Sequence, residues 1–373
     1  MTVLHICSSY FETPLYKCLF SKLERLGVSN FIYVPRYHQD SEDDEKHLYV
    51  INKRFSKLSK LLYWGEQKYI FHDIEKRINL SDINFIHVHR ILYGGYVALQ
   101  LKKKYGIPYI VAIRYSDLYG RGRNMSIHKK HCLEIMLNAE KVIFLSNAYK
   151  ENVWHRYSNM PALQQITERT EVITNGIDDY FLENIATTRR HHSSDNVIQV
   201  MAIGKIDSRK NPLTTMKACD LLIEKGYQVV FKLIGNICDK DIFSNIQKKT
   251  YTHYLGELNK EQVRAQLQET DILIVPSVHE TFGLVYAEAM SQGVPVIYTK
   301  GQGFDGQYED GEVGYPVNCF DAQEIAQRIL DIMSNYSGIS NHCIENAKNY
   351  SWETIANKYW GIYQDAACIS KNI

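Results

Sequence analysis

Short apolar runs alternate with helical patterns along nearly the whole chain. Val3–Cys7 is apolar, a 3.6-residue pattern follows from Pro14 to Leu26, and Phe31–Val34 is the next run. Phe85–Val88, Tyr109–Ile113, Val142–Leu145 and Val172–Ile173 continue the series. Runs this short and continuous predict strands buried on both faces, as in a parallel sheet. The series restarts at Val197–Gly204. Asn211-Pro212 then opens a helix, Gly226 closes it, and Gln228–Gly235 reads as the next strand. An Asn cap, Pro at the first helical position and Gly after the last predict a βαβ unit. Tyr251–Leu255, Asp271–Ser277 and Val294–Tyr298 follow, and the last amphipathic pattern, Trp352–Ala366, has no strand after it. The polar stretch from Thr187 to Asn196, including RRHHSSD, reads as a linker. The pattern predicts an α/β chain of two doubly wound domains in tandem.

The chemically richest stretch is Pro276–Gly293, PSVHETFGLVYAEAMSQG. It leaves a buried strand, breaks at His279, Glu280 and Thr281, and turns helical near Gly283. Gly293 ends the helix as a left-handed residue. A loop and a helix N-terminus therefore meet at the carboxyl end of a parallel strand, where open α/β sheets hold their ligands. Glu280 precedes the helix and Glu288 lies on it, so two carboxylates can face one crevice. A carboxylate accepts two hydrogen bonds at once, which suits neighbouring sugar hydroxyls. The backbone amides of Phe282, Gly283 and Leu284 lack partners inside the helix and suit a phosphate. Hydroxyl acceptors beside phosphate donors are what a nucleotide-sugar requires.

Gly204, Lys205 and Lys210 follow the first strand of the second half and lie at the same sheet edge. Two cations there can neutralise a diphosphate without a metal. Gly301-x-Gly303-x-x-Gly306 matches a dinucleotide fingerprint literally, but Asp310-Gly311 and Gly314 leave little room for the helix it needs. It reads instead as a loop lining the crevice. Asp239-Lys240-Asp241 sits at a helix start, where acidic residues are favourable without any metal.

Composition narrows the class. The chain has 373 residues, 45% hydrophobic and 23% charged, which fits two globular domains. A formal charge of +1 argues against a nucleic-acid partner. Residues 1–183 carry 25 Lys+Arg against 20 Asp+Glu, and the remainder 18 against 22, so the first half leans towards an anionic partner or surface. Asn52–Asn79 reads as a basic helix with Phe55, Leu58 and Leu62 opposite Lys53, Lys57 and Lys60, which suits peripheral contact with an anionic membrane. The eight cysteines have no zinc spacing, the N-terminus has no basic signal region, and no apolar run is long enough to cross a bilayer. A cytoplasmic protein is expected, and the basic helix suits work at the inner face of a membrane.

Taken together these residues resemble the retaining glycosyltransferases of family 4, which have the GT-B fold. Glu280 and Glu288 match the E-x7-E element, GKIDSRK matches the G-R-x4-K element, Asn175-Gly176-Ile177-Asp178 matches N-G-[VI]-D, and YSWETIANKYWGIY matches the terminal helix. The resemblance implies two Rossmann-like domains facing each other across a cleft. Residues 1–183 would bind the acceptor and 184–354 the nucleotide-sugar, with helix 355–373 packing back on the first domain. It implies that Glu288 holds the ribose hydroxyls and Glu280 those of the transferred sugar. Thr281, Phe282, Gly283 and Leu284 would meet donor oxygens, with Gly204 beside them. Lys205 and Lys210 would stabilise the departing diphosphate, and backbone near Leu258 would meet the base. Arg114, Asp117, His89 and Asn175 would lie on the acceptor side. Lys205 stands where the family usually has Arg, and Arg114 where a His commonly precedes G-x-D. The loop Ser8–Pro14 lacks the usual paired glycines.

The implied activity is transfer of a sugar, with retention, from a nucleoside diphosphate sugar to a glycan or lipid-linked glycan in surface polysaccharide synthesis. No cofactor and no metal are expected. Two alternatives stand beside it, a nucleotide-sugar epimerase of similar two-domain fold and a non-catalytic glycan-binding relict.

Overall fold

The structure, a computed structural model, describes residues 1–35, 47–51, 63–119, 125–187 and 196–370. The chain divides into two compact units. One comprises Met1–Leu145, Lys150–Thr174 and Trp352–Ile373; the other comprises Ser146–Tyr149 and Asn175–Ser351.

The first unit is built on a seven-stranded sheet of β1 (Thr2–Ile6), β2 (Ser29–Val34), β3 (Leu48–Val50), β4 (Phe85–Val88), β5 (Tyr109–Ile113), β6 (Lys141–Phe144) and β7 (Thr170–Val172). The order is β3-β2-β1-β4-β5-β6-β7, and every pairing is parallel. The strand order reverses between β1 and β4, so the loops after those strands flank a ligand-type crevice. The central strands β4 and β5 are buried at every position, which is why they read as unbroken apolar runs. The last helix, Trp352–Ser370, belongs to this unit. Trp352, Ile355, Ala356, Tyr359, Ile362, Tyr363 and Ala366 form one buried stripe at helical spacing, packed with Leu19, Phe20 and Leu23 of the helix Leu15–Arg25. Each large apolar side chain buried there contributes about 1.5–3 kcal/mol.

The second unit carries a six-stranded sheet of β8 (Val197–Ile203), β9 (Gln228–Ile234), β10 (Thr252–Tyr254), β11 (Ile272–Ile274), β12 (Val296–Thr299) and β13 (Gly314–Val317). Its order is β10-β9-β8-β11-β12-β13, again wholly parallel. The reversal falls between β8 and β11. Pro212 begins the helix Pro212–Glu224, and Asn211 before it is left-handed at φ 53°, with its side-chain Nδ2 donating to the carbonyls of Pro276 and Cys319. That bond ties the loop after β8 to the loop after β11.

Several boundaries differ from the sequence reading. Asn175–Glu183, expected in the first domain, belong to the second unit: Ile177 and Phe181 are buried in its core, and the Ile177 amide bonds the Tyr350 carbonyl at 3.0 Å. The last helix begins at Trp352, where its amphipathic pattern starts, so the segment that joins the first unit is longer than the 355–373 assigned to it. Strand β11 is shorter than Asp271–Ser277. Val275 still bonds Ile297, but Pro276 has no N–H to continue the ladder, and the Ser277 amide turns back onto the Val275 carbonyl. The edge strands β3 and β13 were not foreseen, being short and, in β13, interrupted by Pro316. Of the basic segment 52–79, residues 52–62 lie outside the described residues, as do the acidic tract 40–45 and most of the linker 187–196. The described helix Tyr63–Arg77 buries Tyr63, Ile70 and Ile74. Among the described residues no helix is long and apolar enough to cross a membrane.

Candidate active site

The loops after β8 and β11 meet at the carboxyl edge of the second sheet. Lys210 Nζ lies 2.5 Å from Glu280 Oε2, and the same oxygen accepts from Ser277 Oγ at 3.1 Å. The Lys210 amide donates to Asp207 Oδ1 at 3.0 Å, which fixes the base of the lysine, and the Val278 amide bonds the Arg209 carbonyl at 2.7 Å. Gly204 has φ 142°, and a Cβ on it would come within 3.0 Å of the Lys210 side chain. The glycine therefore clears the path along which Lys210 reaches Glu280.

Glu280 is held from a third side. Its amide donates to Gln302 Oε1, and its carbonyl accepts from the Gly303 amide, both at 3.1 Å. A Cβ on Gly303 would stand 2.3 Å from the Thr281 carbonyl oxygen. The literal G-x-G-x-x-G loop thus works by close backbone approach, bracing the Glu280 turn. Asp239 is a helix cap: its side chain accepts from the amides of Asp241 and Ile242.

Gly283 is the N-cap of the helix Leu284–Ser291 at φ 83°, a conformation glycine adopts without strain. A Cβ there would lie 2.2 Å from the Tyr286 ring, and the Tyr286 hydroxyl donates to the Val275 carbonyl. The amides of Phe282, Gly283 and Leu284 donate to no acceptor among the described residues. The Phe282 side chain is buried, its ring centroid 5.9 Å from Phe304 and 5.8 Å from Tyr350, which anchors the turn. Thr281 is exposed at its mouth.

Glu288 is partly exposed, yet burial by the surrounding protein, with the charge of Asp178 adding to it, pushes its carboxyl up to about 7. Asp178 caps the helix Asp179–Glu183 and is paired with Lys260 at 3.1 Å, two residues beyond Leu258. The structure thus gathers the predicted residues into two groups. Gly204, Lys210, Glu280 and the free amides form one; Glu288 with Asp178, and through it Lys260, forms the other. Lys205 is exposed and makes no ion pair among the described residues. Sequence reasoning missed Ser277 and Gln302. Ser277 could have been suspected from its place after the apolar run, whereas nothing local links Gln302 to a residue 22 positions earlier.

Of the residues expected on the acceptor side, Asn175 belongs to the second unit. His89, Arg114 and Asp117 lie together in the first, past the ends of β4 and β5. Arg114 Nε donates to the His89 carbonyl at 3.2 Å, and the Arg114 amide to Asp117 Oδ2 at 2.9 Å. Burial raises the Asp117 carboxyl above its usual range, against the pull of Arg90. Beneath them His5, His87 and His89 are fully buried, the one His/Cys/carboxylate group among the described residues close enough to hold a metal. Their partners argue against that use. His5 Nε2 faces Asn30 Oδ1 at 2.9 Å, His5 Nδ1 faces His89 Nε2 at 3.1 Å, and His87 Nδ1 faces the Tyr363 hydroxyl at 2.7 Å. Desolvation lowers all three, His5 to about 3, and the Arg114 charge adds to the effect on His87 and His89. Ring nitrogens already engaged with Asn30, with each other and with Tyr363, beside the Arg114 guanidinium, leave little for a cation.

The chain belongs to the family 4 type of glycosyltransferases with the GT-B fold. The family model described as Glycosyltransferase Family 4 matches residues 19–180, and that described as Glycosyl transferases group 1 matches 184–350. An uncharacterized glycosyltransferase of Methanocaldococcus jannaschii is 24% identical over 320 residues, 80% of each chain. Among solved structures, a lipopolysaccharide outer core galactosyltransferase superposes with a TM-score of 0.72 at 14% identity, covering 100% of both chains. Anabaena HepE in complex with UDP-glucose superposes at 0.62 and 17%, covering 99% of this chain and 100% of the other. At these identities the structural neighbours speak to the fold alone.

Proposed function

We propose that the protein transfers a sugar, with retention at the anomeric carbon and without a metal, from a nucleoside diphosphate sugar to a glycan or lipid-linked glycan. The observation that carries this reading is the Lys210–Glu280 pair at 2.5 Å beside the three unpaired amides of residues 282–284. A cation, a carboxylate and oriented N–H donors converge there on one sheet edge. UDP-glucose in the Anabaena neighbour favours a nucleotide-sugar donor, and the lipopolysaccharide galactosyltransferase neighbour favours a glycan acceptor.

In this reading Lys210 moves its charge from Glu280 to the leaving diphosphate, and the amides of Phe282, Gly283 and Leu284 bind donor oxygens. Glu280, freed from the lysine and braced by Ser277 and Gln302, accepts hydroxyls of the transferred sugar. Glu288 accepts the ribose hydroxyls, and backbone near Leu258 meets the base. Lys205, exposed and unpaired, turns in when the diphosphate binds. Charge growing on the diphosphate as an oxocarbenium-like centre forms is stabilised by groups already aimed at it. The acceptor hydroxyl enters on the same face, with a phosphate oxygen taking its proton. A thermal-shift screen of nucleotide-sugars followed by NMR of the product's anomeric proton tests the reading. An inverted product, or conversion of the donor without any acceptor, would reject it.

A further inference from the structure

The first sheet has its own reversal point, and unsatisfied polar groups collect there. Arg114, 9% exposed, uses Nε on the His89 carbonyl and also hydrogen-bonds the Tyr359 hydroxyl, but leaves Nη1 buried without a partner. Arg90, past the end of β4, has a buried Nε with no hydrogen bond; its nearest carboxylate oxygen is Asp117 Oδ1 at 3.8 Å, and its guanidinium sits over the Tyr93 ring at 4.2 Å. Ser8 Oγ, past the end of β1, is likewise buried without a hydrogen bond, and Asp117 Oδ1 accepts none, having only the long ion pair with Arg90. The His89 amide bonds the Ile6 carbonyl at 3.1 Å, so the chain ends that carry Ser8 and Arg90 leave neighbouring strands side by side.

A buried donor without a partner is costly, and more so when it is charged. Three such donors at a sheet's reversal point signify a group that binds there. Two of them are on guanidiniums, whose N–H groups match carboxylate or phosphate oxygens, and the third is the Ser8 hydroxyl. Two arginines face a single carboxylate, and the three histidines beneath contribute no charge. The excess is positive and suits an anion, whereas Asp117 Oδ1, which faces Arg90 at 3.8 Å without accepting a hydrogen bond, suits a hydroxyl. We infer that Arg90, Arg114, Ser8 and Asp117 form a subsite for an oxyanion carried on a hydroxylated sugar, so that the acceptor is an acidic glycan or a phosphorylated one. Naming that sugar the acceptor rests on the glycosyltransferase reading above; the subsite itself does not.

The test is calorimetric titration of the full chain with glucose 6-phosphate, glucuronate and glucose, with UDP titrated in parallel. One or both charged sugars should bind at millimolar concentration, more weakly as salt rises, and glucose should not. Binding of the phosphate alone assigns a phosphorylated acceptor, and of the carboxylate alone a uronate. Arg114→Gln should weaken the charged sugar about 10- to 100-fold, the loss of a charge-assisted hydrogen bond, and leave UDP affinity unchanged. If that variant fails to fold, seen by circular dichroism and urea unfolding, Arg90→Gln that passes the same checks decides the matter. Equal binding of glucose, no binding of either charged sugar, or wild-type affinity in a folded variant overturns the subsite. Failure of the wild type to bind UDP would count against the donor reading alone.

Discussion

Replacing Glu288 by Gln separates what this carboxylate does for binding from what it costs the fold. The rise of its carboxyl from 4.5 to about 7 corresponds to about 3 kcal/mol against the ionised form. Partial solvent access reduces that to about 1–2 kcal/mol. Near pH 4.5 and below, folded Glu288 keeps its proton and no penalty applies. As the pH climbs towards 7 the unfolded chain ionises while the folded one resists, so stability falls, and above 7 the whole penalty is present. Glutamine keeps the shape without the charge. Urea unfolding of Glu288→Gln should therefore show no gain at acid pH and a gain of about 1–2 kcal/mol near pH 8. Ribose hydroxyls lose a charged acceptor, so UDP affinity should fall about 10- to 100-fold in calorimetry. A stability change independent of pH would refute the burial argument. A pH-dependent gain with undiminished UDP affinity would make Glu288 a buried acid with no role in the donor site.

Three further perturbations probe the same framework. Lys210→Ala should lower kcat about 100- to 1,000-fold in a transfer assay; full turnover would remove it from the reaction. Gly283→Ala forces a left-handed alanine and a Cβ 2.2 Å from the Tyr286 ring, so the second unit should lose about 2 kcal/mol or more in urea unfolding, and unaltered stability would contradict the assigned turn. Tyr363→Phe takes the hydroxyl from His87 Nδ1, whose Nε2 is already unpaired, and should cost the first unit about 1–3 kcal/mol. An unchanged midpoint would mean that this buried bond contributes nothing.

Much of the fold was legible because parallel strands covered on both faces leave unbroken apolar runs, as at Phe85–Val88 and Tyr109–Ile113. The edge strands β3 and β13 were not, since short edges need little apolar sequence and tolerate Pro316. The donor corner was legible because strand, break and helix follow each other directly around Glu280. Its bracing by Gln302 was hidden, because a contact across β12 leaves no local periodicity. The same holds for His5, His87 and His89. His87 and His89 alternate onto one face of a short strand and its end, but only the parallel pairing of β1 with β4 brings His5 opposite them. Asn175 was assigned by its place before the polar linker, whereas the burial of Ile177 and Phe181 draws that segment into the second core.

The claim that the carboxyl edge of the second sheet grips a nucleotide-sugar is tested most directly by hydrogen–deuterium exchange. The full chain would be compared with and without the nucleotide-sugar that gives the largest thermal shift. The account expects slower exchange in peptides covering residues 204–212 and 280–290, with the amides of Phe282, Gly283 and Leu284 among those protected. Donor binding that leaves both segments exchanging at their free rates would contradict it.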